Sequence, residues 1–450
     1  MIALSFRSPA GQVQSEWSGC WLTPQRIGRG VSKTYHPCPL ERPTLIRITR
    51  LPEEVTHRLA PLKPYFSSRH YWVFCWLWVA HLGCVEKAPL QGWARYIPTH
   101  VAAWHLRRLL AAGRWQWAQG LEWRVSQALA AFPPPRDGVL YLVVDSTLKG
   151  TRTKQNPLAK KARLNEYAPY TCGLPVVILS AQWEVYRVPL AFRLVPPQGS
   201  KGYQSENALL RALLQEVVVP AWVKRVVVVA AAAYPARANL QAIQARHWFF
   251  VSAFPRTGKL ATGQHLRDVV TPLPIHPYRK GCLPLRVPSA RRRVFWTFAQ
   301  RAQWRQGGDG TVVRSRRRRN DSPNHTKLLV TKLPQATAHT TVAVYLRRWP
   351  GELFFKEWKG AIGVGQPQVT KEAARVARSV AVALRAYWLL LRVRAKHIKP
   401  GTSWSAFTLK QQFAWEMGAR QLKRVARQEV RKEVKLQLAA KEETHLRLAA

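Results

Sequence analysis

Apolar positions change their spacing twice along this chain, and the two changes divide it. Between residues 44 and 131 they recur at helical intervals, which predicts helices over Pro64–Val85, Ala88–Ile97, Val101–Ala112 and Leu121–Ala131. The triplet Pro133-Pro134-Pro135 is a stiff break. After it the period falls to two and β-branched residues run together. Strands are predicted at Val139–Val144, Pro175–Gln182 and Tyr186–Val195, the first ending at Asp145-Ser146-Thr147 and the other two joined by a turn at Trp183-Glu184. Next come a helix over Ser205–Val218 capped by Ser205, a strand over Arg225–Ala230, a helix over Ala236–Arg246 and a strand over His247–Phe254. Residues 255–340 hold Pro-rich turns and strand candidates Arg293–Ala299, Thr311–Arg316 and Lys327–Leu333, which read as a β-rich insertion. Helical spacing returns over Lys371–Lys396 and, beyond a Pro400-Gly401 break, over Leu409–Leu438. The pattern predicts an α/β core flanked by helical regions. Its segments are a basic arm at 1–43, a helical region at 44–132, the core at 136–254 and again at 341–370 around the insertion, and a helical end at 371–450.

Two apolar runs, Tyr71–Val85 and Ala381–Val393, fall short of the roughly 20 residues a membrane span needs, and Arg385 and Arg392 interrupt the second. Both read as buried helices, and no membrane partner is expected. Charge changes the picture more. Lys and Arg number 71 against 23 Asp and Glu, a net charge of +48. Such a field repels itself unless a polyanion neutralises it, so nucleic acid is the expected partner. A ribosomal-type or membrane-surface protein fits less well with 47% hydrophobic residues and 20 Trp. Six scattered cysteines form no CxxC pair, and His36 with Cys38 falls short of a zinc site; reduced thiols and a cytoplasmic, nucleoid-associated chain are expected. The N-terminus shows no basic run leading into a long apolar core, so no signal peptide is expected.

In Val344–Gln366, Tyr345, Arg348, Glu352 and Lys359 are spaced by three, four and seven residues. At about 100° per residue these fall in one arc of a helix, setting a carboxylate among a phenol and two cations. A carboxylate supplies oxygen to a hard divalent cation, and cations take phosphate oxygens. Leu353, Phe354, Trp358 and Ile362 fall mainly on another side, which they would bury. Pro350-Gly351 is expected to start a helix there, leaving Tyr345 and Arg348 on the preceding turn. Tyr-x2-Arg-x3-Glu-x6-Lys resembles the signature of the DDE transposases of insertion-sequence family four, cut-and-paste enzymes, and Trp349 follows the Arg as it often does there. The strand and helix order is that of a ribonuclease H-like fold, in which the first and fourth strands lie side by side.

The resemblance implies three acids holding two Mg2+ ions, with Mn2+ as substitute, that cleave and rejoin DNA. It also implies that Tyr345, Arg348 and Lys359 grip phosphates, that double-stranded transposon ends and target DNA are the partners, and that a homodimer forms in the DNA complex. Asp145 and Glu352 match two of the acids. The third is expected after the fourth strand, where the chain reads Val226-Val227-Val228-Val229-Ala230-Ala231-Ala232-Ala233-Tyr234, so Ala231 stands in its place. A methyl ligates nothing, so the chain is expected to bind DNA and cleave it poorly or not at all. A disabled transposase and a non-catalytic DNA-binding protein derived from one both remain open, with an RNA-binding basic protein behind them.

Four further expectations concern DNA. Leu90–Ile97 and Thr99–Leu110, with Thr99 as cap and Arg107 and Arg108 exposed, fit either a helix-turn-helix or a plain hairpin. Trp296 and Trp304 are candidates for stacking a base flipped from a DNA end, as the resemblance implies for the insertion. Arg316, Arg317, Arg318 and Arg319, before Asn320-Asp321, read as a solvated, phosphate-facing loop. The last helix fits dimerisation, DNA clamping or a plain surface.

Overall fold

The computed structural model describes residues 47–85, 89–112, 129, 132–150, 159–162, 171–200, 202–255, 257–266, 268, 279–283, 293–321, 325–364, 373–399 and 404–449. All lie within one compact unit, Leu45–Ala450. The arm at 1–43 and most of the helix predicted at Leu121–Ala131 fall outside the described residues.

A ten-stranded sheet organises the molecule. Its first part is β1 (Val139–Gly150), β2 (Lys160–Ala162), β3 (Thr171–Trp183), β4 (Tyr186–Leu194), β5 (Arg225–Ala230) and β6 (Phe249–Ala253). In space β4, β3, β1, β5 and β6 follow one another. β3 is antiparallel to β1 and β4, whereas β5 is parallel to β1 and to β6. That order and those directions are ribonuclease H-like. Helix α5 (Glu206–Gln215) joins β4 to β5, and α6 (Arg237–Gln244) joins β5 to β6. Ser205 caps α5 by accepting the Ala208 N–H. The unbroken Val226–Val229 run reads as a strand buried on both faces, and it is one.

Residues 279–331 continue the same sheet. β7 (Arg279–Leu283), β8 (Arg293–Trp304), β9 (Gly308–Arg316) and β10 (Lys327–Thr331) form an antiparallel series, and β10 pairs antiparallel with β6. The inserted strands therefore lengthen the core sheet at its far edge. β1 also differs from expectation: it runs through Asp145-Ser146-Thr147 to Gly150, paired with β3 throughout. The polar triplet reads in sequence as the end of the strand, but its partners Ile178, Val177 and Val176 hold it in the ladder.

The N-terminal helices are α1 (Glu53–Leu59), α2 (Ser68–Gly83), α3 (Leu90–Ala94) and α4 (Ala103–Ala112). Eight residues, 95–102, separate α3 from α4, so Thr99 does not cap α4 and the short turn of a helix-turn-helix is not formed. α2 is buried from Val73 to its end at Gly83. The C-terminal helices include α9 (Ala373–Val393) and α10 (Ala406–Ala449). α2, α9 and the first part of α10 share one buried cluster with the sheet, running from Ile48 to Met417. Among the described residues no helix is long and apolar enough to cross a membrane.

Candidate active site

Two helices bring the motif to the sheet: α7 (Ala338–Leu346), started by a Thr337/Thr340 capping box, and α8 (Trp349–Gly360). Proline occupies the first turn of α8, so the expected break falls between Tyr345 and Glu352. Arg348 nevertheless keeps helical angles (φ −65°, ψ −31°), which holds it under Glu352 one turn on. At Gly351 an added Cβ would lie 3.6 Å from Val143 Cγ1, so α8 begins directly against β1.

Arg348 is the centre of the site. Its Nη1 donates to Asp145 Oδ2 at 2.7 Å and its Nη2 donates to Glu352 Oε1. One guanidinium thus spans two carboxylates from β1 and α8. Asp145 Oδ1 also accepts the Ser146 N–H at 2.9 Å. Burial raises the pKa of Asp145, and Arg348 pulls it back down. Burial disfavours the Arg348 cation, but Tyr345, Asp145 and Glu352 together hold it more firmly protonated than a free Arg. Lys359, two turns after Glu352, donates to Thr147 Oγ1 at 2.6 Å, and burial lowers its pKa. The Tyr345 ring is buried, with Lys327 Nζ at 5.0 Å and Arg348 Cζ at 5.9 Å from its centre.

Parallel pairing sets Ala230 opposite Val144, so one further step puts half-buried Ala231 beside Asp145. The Ala231 carbonyl accepts from Ser252 Oγ at 3.2 Å and from the Tyr234 N–H at 3.1 Å, which fixes the strand end. Among the described residues no three His, Cys, Asp or Glu side chains are grouped to hold a metal ion. Two carboxylates tied to one arginine do not fit a two-metal centre.

The other predicted residues are scattered. Arg107 and Arg108 are exposed on α4. Trp296 is half-buried on β8, with Arg319 Cζ 5.6 Å from its ring. Trp304 is 1% exposed, so it presents no face to a base. Cβ atoms at Gly307 and Gly310 would come within 2.3 and 2.4 Å of its ring, and Phe250 packs edge-on against it. Arg316 is likewise corrected: it is the buried last residue of β9, and its Nε donates to Thr326 Oγ1 at 2.9 Å. Arg317, Arg318 and Arg319 are exposed. The Asp321 carboxylate shapes that turn by accepting the N–H groups of Arg317 and Arg318, which lower its pKa.

Sequence reasoning missed the residues that hold α8 in place. Glu357, 5% exposed on the side of α8 away from Glu352, accepts from Arg187 Nη2 (2.8 Å to both oxygens), Tyr387 Oη (3.0 Å) and the Ala406 N–H (3.1 Å). An acid among Phe354 and Trp358 in an acid-poor chain was its only signal. At the other end of α8, Lys410 Nζ donates to the Ala361 carbonyl at 2.7 Å, and the His81 ring meets the Ile362 carbonyl. A carbonyl accepts, so His81 carries its proton on Nε2. Burial, with Lys410 nearby, lowers the His81 pKa to about 3, leaving the ring neutral at pH 7.

Burial also lowers the Lys410 pKa to about 8 from 10.5. The folded state therefore loses this proton before the unfolded chain does. Stability is expected to rise by on the order of 3 kcal/mol as pH climbs from about 8 to about 10.5. Urea unfolding across this range checks it: Lys410→Met should flatten the rise, and parallel curves for the two proteins would refute it.

Residues 143–389 match the family model described as "Transposase DDE domain". No curated protein sequence matches the chain. Among solved structures it is similar to a piggyBac transposase synaptic complex with hairpin DNA, at 10% identity and a TM-score of 0.39. The likeness covers 67% of this chain and spans 56% of the length of that one.

Proposed function

Since the chain belongs to the transposase DDE domain family, we propose that it binds transposon ends and target DNA as a cut-and-paste transposase whose strand cleavage is disabled by Ala231. The observation that carries this reading is the convergence of Asp145 and Glu352 on Arg348, with Ala231 one register step beyond the Ala230–Val144 pair. Enzymes of this family generally use divalent metal ions. A site with an acid at position 231 would hold Mg2+, or Mn2+ in its place, between Asp145, that acid and Glu352, and the ions would activate the attacking oxygen. Here Arg348 bridges the two carboxylates that remain. Lys359 and the exposed Arg317–Arg319 turn hold phosphates near the DNA end, with Tyr345 bracing Arg348. Trp296, beside Arg319, is the aromatic placed to stack a displaced base. Arg107 and Arg108 on α4 add backbone contacts. The protein acts in the cytoplasm on the bacterial nucleoid, as a homodimer on DNA. A second reading, a non-catalytic binder derived from a transposase, draws on the same Arg348 bridge, because that bridge satisfies the acids without metal.

The test uses duplex DNA carrying the inverted repeats that flank the encoding gene. The chain is expected to shift this duplex in a gel, to prefer it over an RNA duplex at equal salt, and to leave it uncut in Mg2+. Equal competition by RNA would overturn the reading, as would efficient nicking by the chain as it stands.

A further inference from the structure

Helix α10 runs from Ala406 to Ala449, and its first part, through Met417, packs into the core. From Leu422 to Ala440 all described residues but Arg424 are exposed. Arg420, Arg424, Arg427, Arg431 and Lys435 recur there at intervals of four, three, four and four. At about 100° per residue they share an arc of about 80°, in a ridge about 22 Å long. The nearby acids Glu429 and Glu433 lie on the opposite side of the helix. Arg420 is partly neutralised at the foot of the ridge by Glu54 and Glu416, at 3.5 and 3.7 Å. It lines a cavity there together with Arg50 and Arg424. Farther out, Lys432 pairs with Glu429 off the ridge, whereas no described carboxylate pairs with Arg427, Arg431 or Lys435.

Like charges at successive turns destabilise a helix unless something neutralises them. A partner with regularly spaced negative charges meets that need, and a second copy of this ridge does not. We infer that the outer half of α10 lies along the phosphate backbone of duplex DNA, with Arg427, Arg431 and Lys435 as its contacts. This surface is separate from the Arg348 site, and it deepens the DNA-binding reading on which it rests. Contacts of this kind carry no sequence information; they set affinity and its salt dependence.

The full chain and an Arg427→Gln/Arg431→Gln/Lys435→Gln variant are titrated with a fluorescent 30-base-pair duplex at four salt concentrations. The slope of log affinity against log salt is expected to fall by between about two and three units in the variant, and by less than about half a unit in Lys432→Gln. Circular dichroism checks that the variant keeps its helix, and light scattering checks its mass. An unchanged slope in a folded variant overturns the inference. So does a loss of dimer mass without a slope change, which would mean that this face meets a second copy. A parent chain that binds no duplex overturns the proposed function itself, a result distinct from either.

Discussion

Ala231→Asp is expected to give the chain a DNA-cleaving activity that appears with Mg2+ or Mn2+ and vanishes in EDTA. The gain over the parent should be on the order of 10³ or more, because members of a catalytic set act as a unit. The argument is one of register. Ala230 pairs with Val144, so a carboxylate at 231 enters beside Asp145 at the end of β5, close to the bridge that Arg348 makes to Glu352. A third acid also overloads a single guanidinium. Without metal the variant should be less stable than the parent, since like charges at this distance disfavour ionisation. Mg2+ should raise its melting temperature, while leaving that of the parent unmoved. Ala231→Asn and Ala231→Asp/Glu352→Gln serve as controls that fill the same space with an incomplete acid set. If Ala231→Asp folds and binds DNA yet cuts nothing, the disabled-enzyme reading fails and the non-catalytic one stands.

Glu357→Ala should cost about 3–5 kcal/mol of stability, as removal of one partner from a buried ion pair does. The carboxylate is 5% exposed, and the change would strand the Arg187 guanidinium, the Tyr387 hydroxyl and the Ala406 amide together. Arg187 also lies 3.9 Å over the Trp404 ring, so its displacement would disturb the entry to α10. The double variant Arg187→Met/Glu357→Leu should recover much of the loss, because an apolar pair leaves no buried charge unmatched. Urea denaturation of the three proteins decides it. A Glu357→Ala loss under about 1 kcal/mol would show that water reaches the cluster and that the bridge contributes little.

What the sequence disclosed, and what it hid, divides along physical lines. Arg225–Ala230 is legible to the residue because a run of valines has one favourable state, a strand covered on both faces. Strand order foretold that β1 and β5 lie side by side, whereas the nearness of Asp145 to the Glu352 helix was what the family resemblance implied. Asp145-Ser146-Thr147 misled as a strand end because the local preference of polar residues is weak against ten register pairs with β3. Arg316 and Trp304 misled because charge and aromatic area say nothing about which side of a strand faces the core. Gly307 and Gly310 admit the Trp304 ring, a role that no local pattern shows. Glu357, Lys410 and His81 stayed hidden for another reason. Their partners lie 30 to 281 residues away, beyond any local pattern.

The bond from Arg348 to Asp145 spans 203 residues of chain, and this separation sets a timetable. A ribosome releases Asp145 early and the arginine that neutralises it only after β5 to β10 have been made, at about 5–20 residues per second. For at least ten seconds, roughly, the nascent sheet carries a carboxylate awaiting its counter-ion. Assembly of this pocket is therefore a closing event in biosynthesis, and chains cut short before residue 348 are expected to leave the ribosome with it open.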